Sequence, residues 1–391
     1  MSVTAPLGFR AAGVTAGLKQ SGQPDVAVVL NDGPSWSAAA VFTANRVQAA
    51  PVTWTRQVVK GGRVRAVVLN SGGANACTGP PGFQDTHATA EHVAAAIGAE
   101  EVGAGEVGAG EVAVCSTGLI GERLPMDKLL PGVNAAVAEA SRAGGLAAAD
   151  AIRTTDTVVK IAFRRGTGYT IGGMAKGAGM LAPGLATMLC VLTTDAELEP
   201  ARLDAALRSA TAATFDRLDT DGCMSTNDTV LLMASGAAGV SPDKVEFVEV
   251  LTEVCADLAR QLQLDAEGAE KMITIEVVGA ASEADAVTAG RAVARNNLLK
   301  CAIGGEDPNW GRVLAAVGAT DAVFDPNRLN VAINGTWVCR HGAPGDERSK
   351  VDLKPKDVTI TVDLSAGPHS AIILTTDLTV AYVHENSAYS T

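Results

Sequence analysis

The sequence predicts an α/β protein with many strands in mixed pairing and helices on the flanks of its sheets. Short β-branched, apolar runs alternate with longer amphipathic runs, and glycine or asparagine separates them. The 391 residues are 47% hydrophobic and 19% charged, which is the composition of a globular chain with ample material for a core. The length fits one large domain or two ordinary ones.

In the first half of the chain, predicted strands and helices alternate. Strands are predicted over 25–31, 64–70, 157–164 and 169–174, and in the runs AAAVFTAN and EVAVCS. The run DTHATAEHVAAAIG predicts a helix capped by Asp85 or Thr86, and a second helix is predicted near 126–142. Between them, EVGAGEVGAGEV is a five-residue repeat over 101–112. It is too short for a solenoid, so we expect a surface insertion.

The second half continues this alternation and then changes at an acidic turn. EPARLDAALRSATAATFD and DKVEFVEVLTEVCADLARQLQ predict amphipathic helices on either side of the strand DTVLLMAS. The stretch DAEGAE, residues 265–270, is the predicted boundary of a second unit. That unit is predicted to hold the strand KMITIEVVGA, one helix over EADAVTAGRAVARNNLLK, a short helix in NWGRVLAAVGA, and strands near 329–333, 358–362 and 370–374. The order of the strands within the sheets does not follow from these patterns.

Charge and cysteine usage exclude several classes of partner. The net charge of −12 argues against nucleic acid, because binding phosphates needs clustered Lys and Arg. The seven cysteines are odd in number and form no CxxC pair, as expected for reduced thiols in the cytoplasm. No secretory signal is visible, and glycine and proline interrupt the uncharged run 177–194. We therefore expect a cytoplasmic protein without a membrane partner.

The sequence predicts neither a metal site nor a nucleotide cofactor. The five histidines form no HExxH or similar cluster. There is no GxxxxGK[ST] loop, no GxGxxG that opens a helix after a strand, and no GxSxG elbow. The chemistry that remains is nucleophilic catalysis without histidine.

Thr187 stands where a glycine-rich turn meets an apolar strand, in KGAGMLAPGLATMLCVLTTDA. A threonine becomes an effective nucleophile when it is the N-terminal residue, because its own α-amine then serves as the base. To become N-terminal, Thr187 must attack the carbonyl of Ala186, and water must hydrolyse the resulting ester. The other interpretation is that Thr187 begins an ordinary buried strand, which β-branched residues favour.

STGLIG follows the predicted strand EVAVC and offers two hydrogen-bond donors. Thr117 carries a hydroxyl, and Gly118 has an unhindered backbone N–H. Donors of this kind stabilise the negative charge that develops on a reacting carbonyl oxygen. The alternative is a simple turn that ends the strand.

Several sequence blocks resemble one enzyme family in composition and order. They are LNSGGANACTG, CSTGLIGERLPM, TTDT, GGMAKGAGMLAPGLATML, STNDT, DAEGA, GEDPNWGR and ENSAYST. On these blocks the chain resembles the bacterial ornithine acetyltransferases, also called glutamate N-acetyltransferases, of arginine biosynthesis. The similarity extends over essentially the whole chain.

The resemblance implies a precursor that cleaves itself between Ala186 and Thr187. The products would be an α chain over 1–186 and a β chain over 187–391, and they would assemble as an α2β2 heterotetramer. The implied fold has a sandwich-like catalytic domain with mixed sheets over 1–268. A smaller C-terminal α/β domain follows over 269–391, and its tail reaches the active site.

The implied reaction is acetyl transfer from N2-acetyl-L-ornithine to L-glutamate through an acetyl-Thr187 intermediate, without a cofactor. Thr117 and Gly118 match the oxyanion pair of the family. The positions that match its substrate contacts are Thr154, Lys176, Thr187, Glu267, Asn386 and Thr391. Lys176 is a point charge suited to an α-carboxylate, and Glu267 suits an ammonium group.

Two other functions remain open at this point. An N-terminal-nucleophile aminopeptidase or amidase of similar fold would use water in place of glutamate as the acceptor. A non-enzymatic α/β binding protein would remain one uncut chain. Whether acetyl-CoA is also a donor does not follow from the sequence.

Overall fold

The computed structural model describes residues 2–100, 107–182 and 188–388, and this part of the chain contains fifteen strands and ten α-helices. The strands are β1 Phe9–Val14, β2 Val26–Asn31, β3 Ser37–Phe42, β4 Ala66–Ser71, β5 Val112–Thr117, β6 Lys160–Gly166, β7 Tyr169–Lys176, β8 Leu189–Thr194, β9 Thr229–Ala234, β10 Met272–Ala280, β11 Asn330–Ile333, β12 Thr336–Arg340, β13 Ala343–Pro344, β14 Asp357–Asp363 and β15 His369–Thr376. The helices are α1 Ala50–Val58, α2 Gly79–Glu100, α3 Met126–Glu139, α4 Gly145–Ala151, α5 Pro200–Ala213, α6 Lys244–Leu264, α7 Glu283–Ala294, α8 Asn297–Gly304, α9 Trp310–Val317 and α10 Val380–Ala388. Within the described ranges, no helix is both long enough and apolar enough to cross a membrane.

The strands form three mixed sheets. The N-terminal sheet has the order β1-β2-β4-β5, and the central sheet has the order β3-β9-β8-β7-β6. The C-terminal sheet has the order β13-β12-β11-β14-β10-β15. Each sheet combines antiparallel neighbours with one parallel pair, which is β4·β5, β8·β9 and β10·β14 respectively. The parallel pairs β4·β5 and β8·β9 are connected through α2 and α5, whereas the chain between β10 and β14 contains α7 to α9 and β11 to β13.

The N-terminal sheet packs with one face on the central sheet and with the other on helices. In β2, Ala27 and Val29 belong to the core that the two sheets share. Val26 and Val28, which alternate with them, belong to the core beneath α2 and α3. Every residue of β2 is buried because both faces of the strand are covered. Its sequence therefore shows no alternation of apolar and polar residues.

The central sheet repeats this arrangement on its other side. In β8, Leu189 and Val191 face the N-terminal sheet, whereas Cys190 and Leu192 pack in the core with α5 and α6. The layers therefore run helix, sheet, sheet, helix. This sandwich confirms the predicted α/β class with mixed sheets and flanking helices.

The C-terminal sheet begins at Met272 and has its own core with α7, α8 and α9. The predicted boundary between 268 and 269 falls shortly before this sheet, and it stays a prediction. Beyond the sheet, α10 returns to the side of the molecule where Glu267 lies, because Asn386 of this helix contacts the Glu267 carboxylate.

The predicted helix over EADAVTAGRAVARNNLLK is wrong in one respect, because the structure has two helices there. Helix α7 ends at Ala294, and Asn296 caps α8 by accepting a 2.9 Å hydrogen bond from the Leu299 N–H. An asparagine side chain that bonds to a backbone N–H in this way starts a new helix and so interrupts the preceding one. The helix predicted near 126–142 ends earlier, at Glu139. Part of the predicted insertion, 101–106, lies outside the described residues.

Candidate active site

A polar cleft of about 360 Å³ opens where the N-terminal and central sheets end. It brings together six of the predicted site residues: Thr117, Gly118, Thr154, Lys176, Glu267 and Asn386. The predicted nucleophile Thr187, its neighbour Ala186 and the terminal Thr391 lie outside the described residues. A larger cavity of about 730 Å³ lies along β3, and none of the predicted site residues lines it.

Thr117 and Gly118 form the turn at the end of β5. The Thr117 carbonyl accepts 3.0 Å hydrogen bonds from the amides of Gly72 and Gly73, which presses two loops together. Gly118 has a φ of +132°, and a Cβ there would lie 2.5 Å from the Gly73 nitrogen. Both facts require glycine at 118. Among the described residues, the Gly118 amide finds no hydrogen-bond acceptor.

Lys176 ends β7 and is 1% exposed. Its ammonium donates hydrogen bonds to Thr154 Oγ1 at 2.7 Å and to Thr117 Oγ1 at 3.3 Å. An ammonium group only donates, so both hydroxyl oxygens act as acceptors here. Each threonine therefore keeps its own hydroxyl proton for another acceptor. For Thr117, that proton is available to an oxygen bound in the cleft.

Asp156 lies directly behind this group. Its side chain is fully buried, and it accepts hydrogen bonds from the Gly177 amide at 2.6 Å and from the Lys160 ammonium at 2.6 Å. Burial by itself raises the pKa of this carboxyl. The positive charges of Lys176 and Lys160 outweigh that effect and lower the pKa of Asp156 to about 2. Asp156 is therefore a carboxylate at neutral pH.

Burial lowers the pKa of Lys176, and the negative charge of Asp156 is the largest effect that opposes it. The cation is thus held away from water, and the buried Asp156 carboxylate is its principal counter-charge. A charge in such a place interacts more strongly with a ligand carboxylate than the same charge in solvent would.

Glu267 and Asn386 close the cleft on the side of the C-terminal helix. Asn386 Nδ2 donates a 3.0 Å hydrogen bond to Glu267 Oε2. Glu267 also approaches the Gly179 backbone so closely that a Cβ at 179 would lie 2.5 Å from the same oxygen. The next residue, Gly268, has a φ of +60°, and a Cβ there would lie 2.2 Å from the Tyr382 nitrogen. Two glycines thus allow the acidic group and α10 to reach the cleft.

Residues 10–391 match the model of the ArgJ family. The chain belongs to the ArgJ family.

Curated relatives of this ArgJ family member match it over its full length. The arginine biosynthesis bifunctional protein ArgJ of Thermobifida fusca is 74% identical over 391 residues, which is 100% of both chains. ArgJ 1 of Streptomyces clavuligerus is 66% identical over 390 residues, again covering 100% of both. A solved ornithine acetyltransferase from Mycobacterium tuberculosis, complexed with ornithine, is 63% identical, with a TM-score of 0.46; the match covers 47% of this chain and 96% of that one.

The family model and the two curated relatives confirm the family that the sequence blocks indicated. They favour the acetyltransferase interpretation over both the aminopeptidase and the non-enzymatic binding protein. The roles of the individual site residues remain predictions, since family membership by itself assigns none of them.

The ArgJ cleft also contains residues to which the sequence analysis gave no role. Ser225, Thr226 and Asn227 line it just before β9. Asn227 Nδ2 donates hydrogen bonds to the carbonyls of Ala74 at 2.6 Å and Ser116 at 2.8 Å, which ties two other loops of the cleft together. The available signal was the polar block STND in front of an apolar strand.

Asp228 is a second buried carboxyl near the ArgJ cleft. It is 0% exposed, and its Oδ1 accepts a 2.9 Å hydrogen bond from the amide of Met188, the residue that follows Thr187 in sequence. No partner of its Oδ2 is present among the described residues. Burial raises the pKa of Asp228 well above the usual range of an aspartate.

Proposed function

We propose that this ArgJ family member cleaves its own backbone between Ala186 and Thr187 and then uses Thr187 to transfer an acetyl group. The donor is N2-acetyl-L-ornithine and the acceptor is L-glutamate, so the products are ornithine and N-acetylglutamate. The enzyme is a glutamate N-acetyltransferase of arginine biosynthesis. One observation carries the assignment of the site: a single cleft holds a buried ammonium, a carboxylate and the Thr117–Gly118 turn.

The charges of the cleft match an N-acylated basic amino acid. Lys176 and Glu267 both line it, so a positive and a negative side chain face the same volume. In this proposal, Lys176 binds the α-carboxylate of acetylornithine. Glu267, with Asn386 bound to it, receives the ammonium at the end of the ornithine side chain. Opposite charges in one pocket select a substrate that carries both.

In the first half-reaction, the Thr187 hydroxyl attacks the acetyl carbonyl while its own α-amine takes the hydroxyl proton. The developing oxyanion accepts hydrogen bonds from the Thr117 hydroxyl and the Gly118 amide. The bond between the acetyl carbon and the ornithine nitrogen then breaks. The proton held by the α-amine passes to that nitrogen, so ornithine leaves as a neutral amine and an acetyl ester remains on Thr187.

The second half-reaction reverses these steps with a different amine. Glutamate enters the vacated cleft, and its neutral α-amine attacks the ester carbonyl. The Thr187 oxygen leaves and regains a proton through its own α-amine. One pocket serves donor and acceptor in turn because both present an α-carboxylate to Lys176.

Assembly, location and division of the chain complete the proposal. The α chain over 1–186 and the β chain over 187–391 stay together and form an α2β2 heterotetramer in the cytoplasm. The catalytic domain covers 1–268, and the C-terminal domain covers 269–391. Thr391, at the end of the tail, contributes to substrate binding with Thr154.

The decisive experiment is the intact mass of the denatured protein before and after incubation with N-acetylornithine. We expect two fragments that divide between Ala186 and Thr187, and an increase of about 42 Da, one acetyl group, on the C-terminal fragment only. An uncut chain that gains no mass contradicts the proposal.

The acceptor is tested in the same preparation. After acetylation, glutamate should remove the added mass and yield N-acetylglutamate, whereas buffer alone should leave the ester largely in place. Rapid loss of the acetyl group in buffer would instead identify a hydrolase. Acetyl-CoA replaces N-acetylornithine in a parallel sample to determine whether it is a second donor.

A further inference from the structure

We propose that Asp156 is the positioning residue of this site, because it fixes the placement and the positive charge of Lys176 for substrate binding. The inference deepens the acetyl transfer proposed above and rests on it. Asp156 does not line the cleft, and it acts through Lys176 and the backbone around it.

Asp156 joins two segments that meet at the cleft. Its Oδ2 accepts a 3.1 Å hydrogen bond from the Thr154 amide, and its Oδ1 accepts a 2.6 Å hydrogen bond from the Gly177 amide. Thr154 and Lys176 are therefore presented by backbone that one carboxylate holds on both sides. The 2.7 Å contact between the Lys176 ammonium and Thr154 Oγ1 closes this arrangement.

Lys160 and Asp265 supply the support behind Asp156. The Lys160 ammonium is fully buried and lies 2.6 Å from Asp156 Oδ1 and 2.5 Å from Asp265 Oδ2. Asp265 also accepts hydrogen bonds from the amide and the hydroxyl of Thr157. Asp156 shares Lys160 with Asp265, and Lys176 is the other cation whose charge acts on Asp156. A buried charge that is paired and hydrogen-bonded in this manner is held in one place.

The charge on Lys176 depends on groups that reach it from several elements. Asp156, before β6, is the largest of the influences that raise its pKa; Asp228, before β9, and Glu267, after α6, also raise it. Lys160 on β6 lowers it. Lys19, in the loop after β1, is a further cation within electrostatic range. Asp156 is thus the principal counter-charge of a lysine that burial drives towards its neutral form.

This arrangement predicts the direction in which substitutions move the pH dependence of substrate capture. The form of the enzyme that binds an α-carboxylate has Lys176 protonated. Asp156→Asn removes the charge that most raises the pKa of Lys176, so the alkaline limb of kcat/KM for N-acetylornithine should move to lower pH. Lys160→Met removes a charge that lowers this pKa, so the same limb should move to higher pH.

The experiment measures kcat and KM for N-acetylornithine from pH 6 to pH 10, on cut and purified protein, for wild type and four variants. Asp156→Asn should raise KM more than it lowers kcat. Asp156→Glu keeps the charge and should keep the alkaline limb at the wild-type pH. Asp265→Asn is the matched control, since it removes the other carboxylate on Lys160 and touches neither Gly177 nor Thr154.

Shifts of opposite sign in Asp156→Asn and Lys160→Met, with none in Asp265→Asn, support the inference. Unmoved limbs in the first two variants would overturn it, as would an equal shift in the Asp265 control. If Asp156→Asn does not fold, the direction of the Lys160→Met shift decides. A wild-type protein that transfers no acetyl group refutes the proposed function itself, whereas an active wild type with unmoved limbs refutes only the role of Asp156.

Discussion

The carboxamide of Asn386 donates a 3.0 Å hydrogen bond to the Glu267 carboxylate and so attaches the C-terminal helix to the cleft. A second hydrogen bond holds the residue that precedes this helix. Thr379 Oγ1 donates it, at 2.6 Å, to the carbonyl of Gly268, the residue after Glu267. The helix fits there only because Gly268 has no side chain. The position of α10 therefore depends on Gly268 as well as on these two hydrogen bonds.

Gly268→Ala should weaken substrate binding by displacing α10. The added Cβ would lie 2.2 Å from the Tyr382 nitrogen, so Asn386 would move away from Glu267. We expect KM for N-acetylornithine to rise roughly tenfold, equivalent to about 1.4 kcal/mol. Gly239→Ala is the control, since Gly239 has a similar φ of +64° and no atom within 4 Å of the added Cβ. Equal KM values in the two variants would contradict the prediction.

Thr117→Ala should slow acetyl transfer without much change in KM. The hydroxyl that it removes is the one that Lys176 leaves free to donate to the oxyanion. Loss of one such donor lowers kcat by roughly a hundredfold to a thousandfold. Steady-state kinetics measure the effect, and Thr155→Ala is a control, because Thr155 lines the same cleft. A kcat within a factor of two of wild type would remove Thr117 from this role.

Gly118→Ala should destabilise the fold as well as the site. The new Cβ would lie 2.5 Å from the Gly73 nitrogen in a backbone with a φ of +132°. Gly121→Ala isolates the steric part, since Gly121 also has a positive φ, +92°, but nothing within 4 Å of the added atom. The free energy of unfolding, from urea titration, should fall by about 1 to 3 kcal/mol more at 118 than at 121. Equal losses would show that the Gly73 contact adapts.

Lys300 should make stability depend on pH in the alkaline range. Its ammonium donates hydrogen bonds to Thr220 O at 2.7 Å and to Thr375 Oγ1 at 3.0 Å, and burial lowers its pKa from 10.5 to about 8. Between these two pH values the unfolded chain binds more protons than the folded one. The free energy of unfolding should therefore gain up to about 3 kcal/mol from this group as pH rises from 8 towards 10.5.

The test is urea unfolding of wild type and Lys300→Met at several pH values across that range. The difference between the two proteins should change with pH in favour of the wild type. Parallel curves would mean that Lys300 titrates alike in the folded and unfolded chains.

Thr187→Ala should give one uncut chain that transfers no acetyl group, because both reactions use the same hydroxyl. Thr187→Ser retains a hydroxyl, so we expect it to cleave, though more slowly. Denaturing electrophoresis and the transfer assay report the two activities separately. Full activity of the alanine variant would refute the assignment of the nucleophile.

Local patterns were sufficient for the elements whose signal lies in adjacent residues. Helices α5 and α6 have the amphipathic repeat along their length, and β5 is an apolar run that ends at a glycine turn. Helix α10 was not predicted, because the contacts of Thr379 with Gly268 and of Asn386 with Glu267 hold it, and those partners are more than a hundred residues away. Strand β1 was not predicted either, since its short run FRAAGV lacks a clear alternation.

The order of the strands within the sheets could not be predicted from the sequence for a related reason. Strand β3 pairs with β9, so that Phe42 lies opposite Thr229, and no local signal connects the two. Asp156 illustrates the same limit within the site. It stands in the TTDT block, but only the folded chain brings Lys160 and Asp265 to it and reveals it as a buried, paired anion. The residues proposed to contact the substrate come from the family resemblance and not from any local pattern in the sequence.

The strand order of the central sheet also bears on the proposed cut of the backbone. A break between 186 and 187 would fall between β7 and β8, which are neighbours joined by six residue pairs. The N-terminal fragment would contain β3, β6 and β7, and the C-terminal fragment would contain β8 and β9. In the order β3-β9-β8-β7-β6 the two fragments are interleaved, with six further pairs joining β9 to β3. If the folded chain is cut as proposed, the two fragments can separate only when the pairing of β7 with β8 and of β3 with β9 is broken.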